Sequence, residues 1–247
     1  MKTKKIFLTG GTGVLGKKLV DFLSTDYEVF APSHKECDIL NFDILKKHLK
    51  DYNPDVVLHL AAFVDTFGCE EDFEKALDVN VTGTINMVKS CKDVKCKFVY
   101  ISSEYIFSGD KGNYDVTDRL DPINVYGKTK AAAEYVVTTL SNYQIIRAPF
   151  IKNIYSEVFT DQYCSRYFLD DIVDKIVYNI VNNNERIIHI ANDRKSLYEH
   201  YREKGLSVNP IKMSEKFSNI IPRDTSLKNN GLKYEKKKNS VCSILYR

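Results

Sequence analysis

A doubly wound α/β fold, with helices covering both faces of a parallel sheet, is predicted by three features of the sequence. A short apolar run stops at a cluster of glycines and passes directly into a helix-spaced segment. Further β-rich runs alternate with helical patterns, which implies right-handed crossovers between parallel strands. One of those runs, Val56-Val57-Leu58, is continuously apolar, as suits a strand covered on both faces. With 247 residues, 43% of them hydrophobic, the chain is long enough to bury the core of one domain or of a domain carrying a small lobe.

Taken in order, Lys5–Thr9 reads as the first strand and Val14–Leu23 as the first helix, its apolar residues recurring at helical spacing. Tyr27–Ala31 is the second strand, Phe42–Leu49 a helix and Asp55–Leu60 the third strand. Phe73–Val88 carries a helical pattern, Lys97–Ser102 is β-rich, and Val125–Leu140 is a helix opened by Pro122 and Asn124 nearby. Tyr143–Arg147 closes the series as a strand. Beyond it Pro149–Tyr167 reads as irregular, Phe168–Val181 as a helix, Arg186–Ala191 as one more strand, and the rest as a polar, less regular tail. Residues 1–147 are therefore expected to form the sheet domain, with 168–190 returning to it. Residues 148–167 and 191–247 are expected to form a small C-terminal lobe over the carboxyl edge of the sheet, where ligands of such folds bind.

Composition narrows the function. The net charge of +3 is nearly balanced and the basic residues are scattered, so nucleic acid is not an expected partner. The densest basic run, Lys236–Lys238, reads as solvated surface. Lys2, Lys4 and Lys5 precede an apolar run that ends within a few residues at Thr9-Gly10-Gly11, too short for a secretion signal, and no stretch approaches the roughly 20 apolar residues of a membrane span. A cytoplasmic protein without a membrane partner is expected. The six cysteines, Cys37, Cys69, Cys91, Cys96, Cys164 and Cys242, lie far apart without a C-x-x-C pair and read as reduced thiols, and no metal site is expected. Exposed helix faces leave room for a homodimer without selecting one.

The turn Thr9-Gly10-Gly11-Thr12-Gly13-Val14-Leu15-Gly16 places glycines at 10, 13 and 16 between strand and helix. Glycine permits the tight turn and lets backbone N–H groups approach a pyrophosphate, while the helix N-terminus adds unpaired donors and a favourable dipole. In that context the pattern signals a dinucleotide, NAD or NADP, on a Rossmann-like sheet, with Gly10, Thr12, Gly13, Val14, Leu15 and Gly16 facing it. A carboxylate at the end of the second strand would bind the ribose 2′-hydroxyl of NAD. Here the chain reads Ala31-Pro32-Ser33-His34-Lys35, so Ser33, His34 and Lys35 are candidates for a 2′-phosphate and NADP(H) is favoured over NAD(H). Asp38, with Ile39 beside it, is a candidate contact for the adenine.

Tyr126 and Lys130 form a Tyr-x-x-x-Lys pair, which a helix puts on one face. The pattern alone is common: Tyr234 and Lys238 match it too, with no strand before them. Tyr126 differs in following the strand Lys97–Ser102 and lying 23 residues after Ser103. A phenol with a pKa near 10 is a poor acid or base at neutral pH, and a neighbouring ammonium such as Lys130 favours the phenolate. Ser103 is placed to donate a hydrogen bond to a carbonyl oxygen while Tyr126 supplies the proton and a nicotinamide the hydride.

These segments, with Asn53–Ala62, Val79–Gly83, Val99–Phe107 and Asn124–Lys130, resemble the extended short-chain dehydrogenase/reductases. Ile101-Ser102-Ser103-Glu104-Tyr105-Ile106-Phe107 and Asn124-Val125-Tyr126-Gly127-Lys128-Thr129-Lys130 resemble more closely the dTDP-4-dehydrorhamnose reductase group, over most of residues 3–190. The resemblance implies catalysis by Ser103, Tyr126 and Lys130, cofactor contacts from Ala61, Ala62, Asn80, Tyr126 and Lys130, and support of the active site by Asn80. It also implies a nucleotide-sugar substrate bound by the C-terminal lobe. Asp161-Gln162-Tyr163-Cys164-Ser165 is similar to the group's substrate-loop motif, and Pro222-Arg223-Asp224 to its late Arg-Pro segment. Two departures stand out: Ser103-Glu104 replaces Thr-Asp, and the stretch between Arg147 and Asp161 is shorter than the group's. The implied activity is NAD(P)H-dependent reduction of a nucleotide-linked 4-keto-6-deoxy sugar. A non-catalytic NADP-binding regulatory subunit, and an epimerase or dehydratase that retains its NAD, are the alternatives.

Overall fold

A computed structural model describes residues 3–234. Its centre is a six-stranded, wholly parallel sheet of β1 (Lys5–Thr9), β2 (Glu28–Phe30), β3 (Val56–His59), β4 (Lys97–Ser102), β5 (Tyr143–Arg147) and β10 (Ile187–His189). In space the order is β10-β5-β4-β3-β1-β2. The chain steps outward from β1 to β2, then crosses back to lay β3 on the other side of β1, with Ile6 opposite Val56 and Leu8 opposite Leu58. The crevice at the carboxyl ends of β1 and β3 is the switch point where this fold holds ligands.

Two-residue alternation splits the sheet's side chains between two cores. Ile6, Leu8, Leu58, Val99, Ile146 and Ile188 pack under α1 (Val14–Leu23) and α7 (Leu169–Asn182). Phe7, Val57, Phe98, Tyr100 and Ile145 face α2 (Phe42–Tyr52), α5 (Gly83–Cys91) and α6 (Val125–Val137). Both faces being covered accounts for the uninterrupted apolar strands. Helix α2 outruns its expected end by three residues and stops where Asn53 adopts a left-handed conformation, φ 49°, before Pro54. Helix α6 ends earlier than expected, at Val137.

The helical pattern expected over Phe73–Val88 is interrupted. After α3 (Thr66–Glu71) come α4 (Phe73–Leu77), a π-helical turn over Asp78–Thr82, and α5. The extra residue in the turn swings Asn80 inward, where its side chain accepts the Phe63 N–H and donates to the Phe63 carbonyl.

Pro149–Tyr167, expected to be irregular, holds β6 (Phe150–Ile151), β7 (Glu157–Phe159), β8 (Tyr163–Cys164) and part of β9 (Tyr167–Phe168). Each is too short to show a periodicity and pairs outside the main sheet: β6 with β9, β7 with β12 (Asn209–Ile211), and β8 with β11 (Lys195–Ser196). Two further helices follow, α8 (Leu197–Glu203), held by a capping box of Ser196 and Glu199, and α9 (Glu215–Ser218). Ile151, Val158, Cys164, Leu197, Tyr201 and Val208 make this region's own small core. Among the described residues no helix is long and apolar enough to cross a membrane. Lys236–Lys238, Cys242 and Lys238 of the second Tyr-x-x-x-Lys pair lie outside the described residues.

Candidate active site

A cavity of about 1090 Å³ runs from the carboxyl ends of β1 and β3 to the short strands of the C-terminal region. Gly10, Thr12, Gly13, Val14, Leu15 and Gly16 all line it, as do Asp38, Ile39, Ala61 and Ala62. The turn is tight where glycine matters. Gly10 has φ 76°, and a Cβ on it would lie 2.8 Å from the Ala61 nitrogen; a Cβ on Gly16 would clash with the Gly10 carbonyl oxygen. Gly13 caps α1 without a side-chain bond, so the first-turn N–H groups stay free beside the cavity. Close-packed glycines and uncapped donors fit a dinucleotide pyrophosphate.

Ser33, Lys35 and Asn80 do not line this cavity, contrary to expectation. The Ser33 N–H and hydroxyl both donate to Glu36 Oε2 at 2.8 Å, closing a local turn, and His34 is the member of the trio that reaches the lining. Asn80 is fully buried behind it. Its side chain also donates to Thr129 Oγ1 at 2.9 Å, and Thr129 Oγ1 donates to the Tyr126 carbonyl at 2.8 Å. Its bonds are spent on holding the first turn of α6 rather than on a cofactor.

Ser103, Tyr126 and Lys130 line the same cavity. Asn124 caps α6 by accepting the Gly127 N–H at 2.7 Å and donates to the Ile220 carbonyl at 2.7 Å, tying the helix start to the C-terminal region. Gly127 lets the helix approach the loop after β4: a Cβ there would clash with the Tyr105 carbonyl oxygen. Lys130, buried, donates to the Ile101 carbonyl at 2.7 Å and lies 4.0 Å above the centre of the Tyr100 ring. Burial brings its ammonium down to about 7, against a smaller upward pull from Glu134. The expected lowering of Tyr126 by Lys130 is not what the site displays. Burial raises the phenol well above its usual value, the Ser103 hydroxyl opposes this, and Glu104 adds to it.

Two networks behind the site were not foreseen. Thr84 Oγ1 donates to the Asn80 carbonyl at 2.7 Å and so must accept from His59 Nε2 at 3.1 Å; His59 Nδ1 then accepts from Thr9 Oγ1 at 2.7 Å. Burial, reinforced by Lys130, holds His59 neutral with a pKa of about 3. On α6, Glu134 takes a two-pronged bond from Arg147 at 3.0 and 2.7 Å, and Arg147 donates to His189 Nε2 at 3.0 Å. The only trace of these in the sequence is polar residues at the ends of apolar strands, Thr9, His59, Arg147 and His189. At the lobe edge, Arg166 pairs with Glu104, and both line the cavity with Gln162. Asp161 and Arg223, from the two remote motif segments, meet in an ion pair at 3.0 Å off the lining.

Residues 4–195 match the family described as RmlD substrate binding domain. The chain is 34% identical to the dTDP-4-dehydrorhamnose reductase of Mycolicibacterium smegmatis over 137 residues, 54% of this chain and 41% of that enzyme. It is 33% identical to that of Aggregatibacter actinomycetemcomitans over 145 residues, 58% of this chain and 49% of that enzyme. It thus spans less than half the length of these two relatives. Its backbone superposes on the dTDP-4-dehydrorhamnose reductase of Bacillus anthracis in complex with NADP, with a TM-score of 0.83 and 25% identity, over 93% of this chain and 92% of that one. A match that takes in the glycine turn, the Tyr126 wall and most of the sheet leaves no other assignment: the chain belongs to the RmlD substrate binding domain family.

Proposed function

We propose that the protein is an NAD(P)H-dependent reductase of a nucleotide-linked 4-keto-6-deoxy sugar. The observation that carries this reading is one cavity lined both by the glycine turn suited to a pyrophosphate and by Ser103, Tyr126 and Lys130. NADP(H) is the favoured cofactor, because the second strand ends without a carboxylate and the Bacillus anthracis relative binds NADP. When bound, the nicotinamide would supply the hydride. Gly10, Thr12, Gly13, Val14, Leu15 and Gly16 would hold the phosphates, Ala61 and Ala62 the flank, and Asp38 with Ile39 the adenosine end.

The protein's own part is to orient a carbonyl and deliver a proton. Ser103 donates to the carbonyl oxygen and Tyr126 gives that oxygen its proton. Lys130, bonded to the Ile101 carbonyl and one helical turn along from Tyr126, would in its charged form compensate the phenolate left behind. A phenol raised by burial stays protonated at neutral pH, so the wall is armed as an acid, in keeping with reduction. In this reading residues 1–147 with 168–190 bind the cofactor, and 148–167 with 191–247 bind the sugar nucleotide. The enzyme works in the cytoplasm, alone or as a homodimer.

The test follows NADPH absorbance while the purified protein meets freshly generated dTDP- and UDP-4-keto-6-deoxy sugars, with Tyr126→Phe in parallel. Oxidation by the wild type, reduced by roughly 10²–10⁴-fold in the variant with cofactor still bound, is expected. Cofactor binding without oxidation would instead favour a regulatory subunit. Tightly retained nicotinamide without net consumption would favour an epimerase or dehydratase.

A further inference from the structure

Arg166, on the link between β8 and β9, reaches Glu104 with two N–H groups, Nε at 2.7 Å and Nη2 at 2.6 Å, and both fall on the same oxygen, Oε1. The other oxygen, Oε2, lies 3.4 Å from the Ser103 hydroxyl, which also accepts the Tyr105 N–H at 3.2 Å. A serine hydroxyl has one proton, so a bond to Glu104 and a bond to a substrate oxygen exclude each other. A free buried carboxylate next in sequence would win that proton, because a charged acceptor bonds more strongly than a neutral carbonyl. The observed contact is at the weak limit for O–H donors, while the two bonds from Arg166 are short.

We propose that Arg166 is a positioning residue: its guanidinium draws the charge of Glu104 onto Oε1 and leaves the Ser103 proton available to the carbonyl oxygen that Tyr126 protonates. This rests on the reductase reading of the same site. The pair also braces the wall, since Arg166 lies 5.5 Å from the Tyr105 ring and Tyr105 meets the Tyr126 ring edge-on at 6.3 Å. The titratable and charged groups around Tyr126 are Glu104 and Tyr105 on the loop after β4, Tyr100 on β4, Cys69 on α3, and Lys130 on its own helix. Glu104 pushes the Tyr126 phenol upward, so freeing its charge pushes further in the same direction.

The experiment compares wild type, Arg166→Met, Glu104→Gln and the double variant in the NADPH assay across pH. In parallel, carbon-13 tyrosine NMR without substrate follows the ionisation of Tyr126, its signal assigned with Tyr126→Phe. Arg166→Met should lower kcat roughly tenfold, a fraction of the cost of losing an oxyanion donor, with the sugar-nucleotide KM little changed. Its Tyr126 titration should move up, and adding Glu104→Gln should return kcat to within about threefold of wild type and reverse the shift. An unchanged kcat, or a KM that rises while kcat holds, overturns the proposal, the latter because Arg166 would then bind substrate directly. A double variant as impaired as Arg166→Met overturns it in favour of a purely structural pair. Should Arg166→Met fail to fold, Glu104→Gln alone decides: its Tyr126 titration should fall below that of wild type, and an unmoved titration overturns the proposal. If wild type reduces none of the sugar nucleotides, yet the titration shifts and is reversed as described, the electrostatic role of Arg166 stands and the reductase reading alone falls.

Discussion

On the sheet side of the cavity, Thr9, His59, Thr84, Asn80 and Thr129 form an unbroken buried chain of hydrogen bonds that ends on the Tyr126 carbonyl. On the lobe side, the loops between two- and three-residue strands carry ion pairs with exposed members, Arg223 with Asp161 and Arg194 with Asp224. Water reaches only the second set of bonds. A buried group that loses its partner keeps its full desolvation cost, whereas a solvated ion pair is worth about 0–1 kcal/mol because water replaces it. The sheet wall is thus held by its polar groups and the lobe wall by its apolar cluster around Tyr201 and Leu197. The Arg166–Glu104 pair is the exception, a lobe-side charge buried against the sheet.

The sharpest test of that contrast removes a charge from the sheet wall. Arg147→Met strands the carboxylate of Glu134 in the interior and should cost about 3–5 kcal/mol in urea unfolding. A loss below about 1 kcal/mol would mean that the two walls do not differ as described.

Acid should also act chiefly through the sheet side. His59 and His189 are kept neutral by burial, at about 3 and about 4 against an ordinary 6.5. Below about pH 6.5 the unfolded chain takes up protons that the folded chain refuses until pH approaches those lower values, so stability is full above pH 6.5 and declines as pH falls. Between pH 7 and pH 5 each histidine should account for about 2 kcal/mol, read from denaturation midpoints at the two pH values. A flat profile would place water at these rings.

Gly16→Ala probes steric rather than polar fit, since its methyl would meet the Gly10 carbonyl. Overpacking of that order should cost about 1–3 kcal/mol in stability and weaken NADPH binding, measured by fluorescence titration. Smallest of all should be Arg223→Ala on the lobe, under about 1 kcal/mol by thermal melting, because its partner Asp161 still accepts the Met213 N–H. A larger loss would show that the lobe too depends on its charges.

The sheet domain was legible in detail. Lys97–Ser102 and Tyr143–Arg147 are strands with the expected ends, and the glycine turn follows β1 and leads into α1 where the sequence puts it. The misses have separate causes. Ser33 and Lys35 were placed by their distance from the glycines, but the Glu36 carboxylate closes a local turn that removes both from the lining. Asn80 was assigned to the cofactor, yet an extra residue in the helix turns it toward Phe63. The influence of Lys130 on Tyr126 was read from spacing, which carries no information about burial.

By itself the sequence determined the order of the six strands of the main sheet, the glycine turn after the first of them, and the helix that presents Tyr126 and Lys130 together. Each of these is written in neighbouring residues, as alternation, helical spacing or a glycine that no side chain can replace. Only the tertiary structure decided that Arg166 meets Glu104 across 62 residues, that Asn124 is tied to Ile220 across 96, and that a proton sits on Nε2 of His59. Such bonds depend on which segments the fold brings together and on how little water remains between them, and neither quantity is a property of any short stretch of chain.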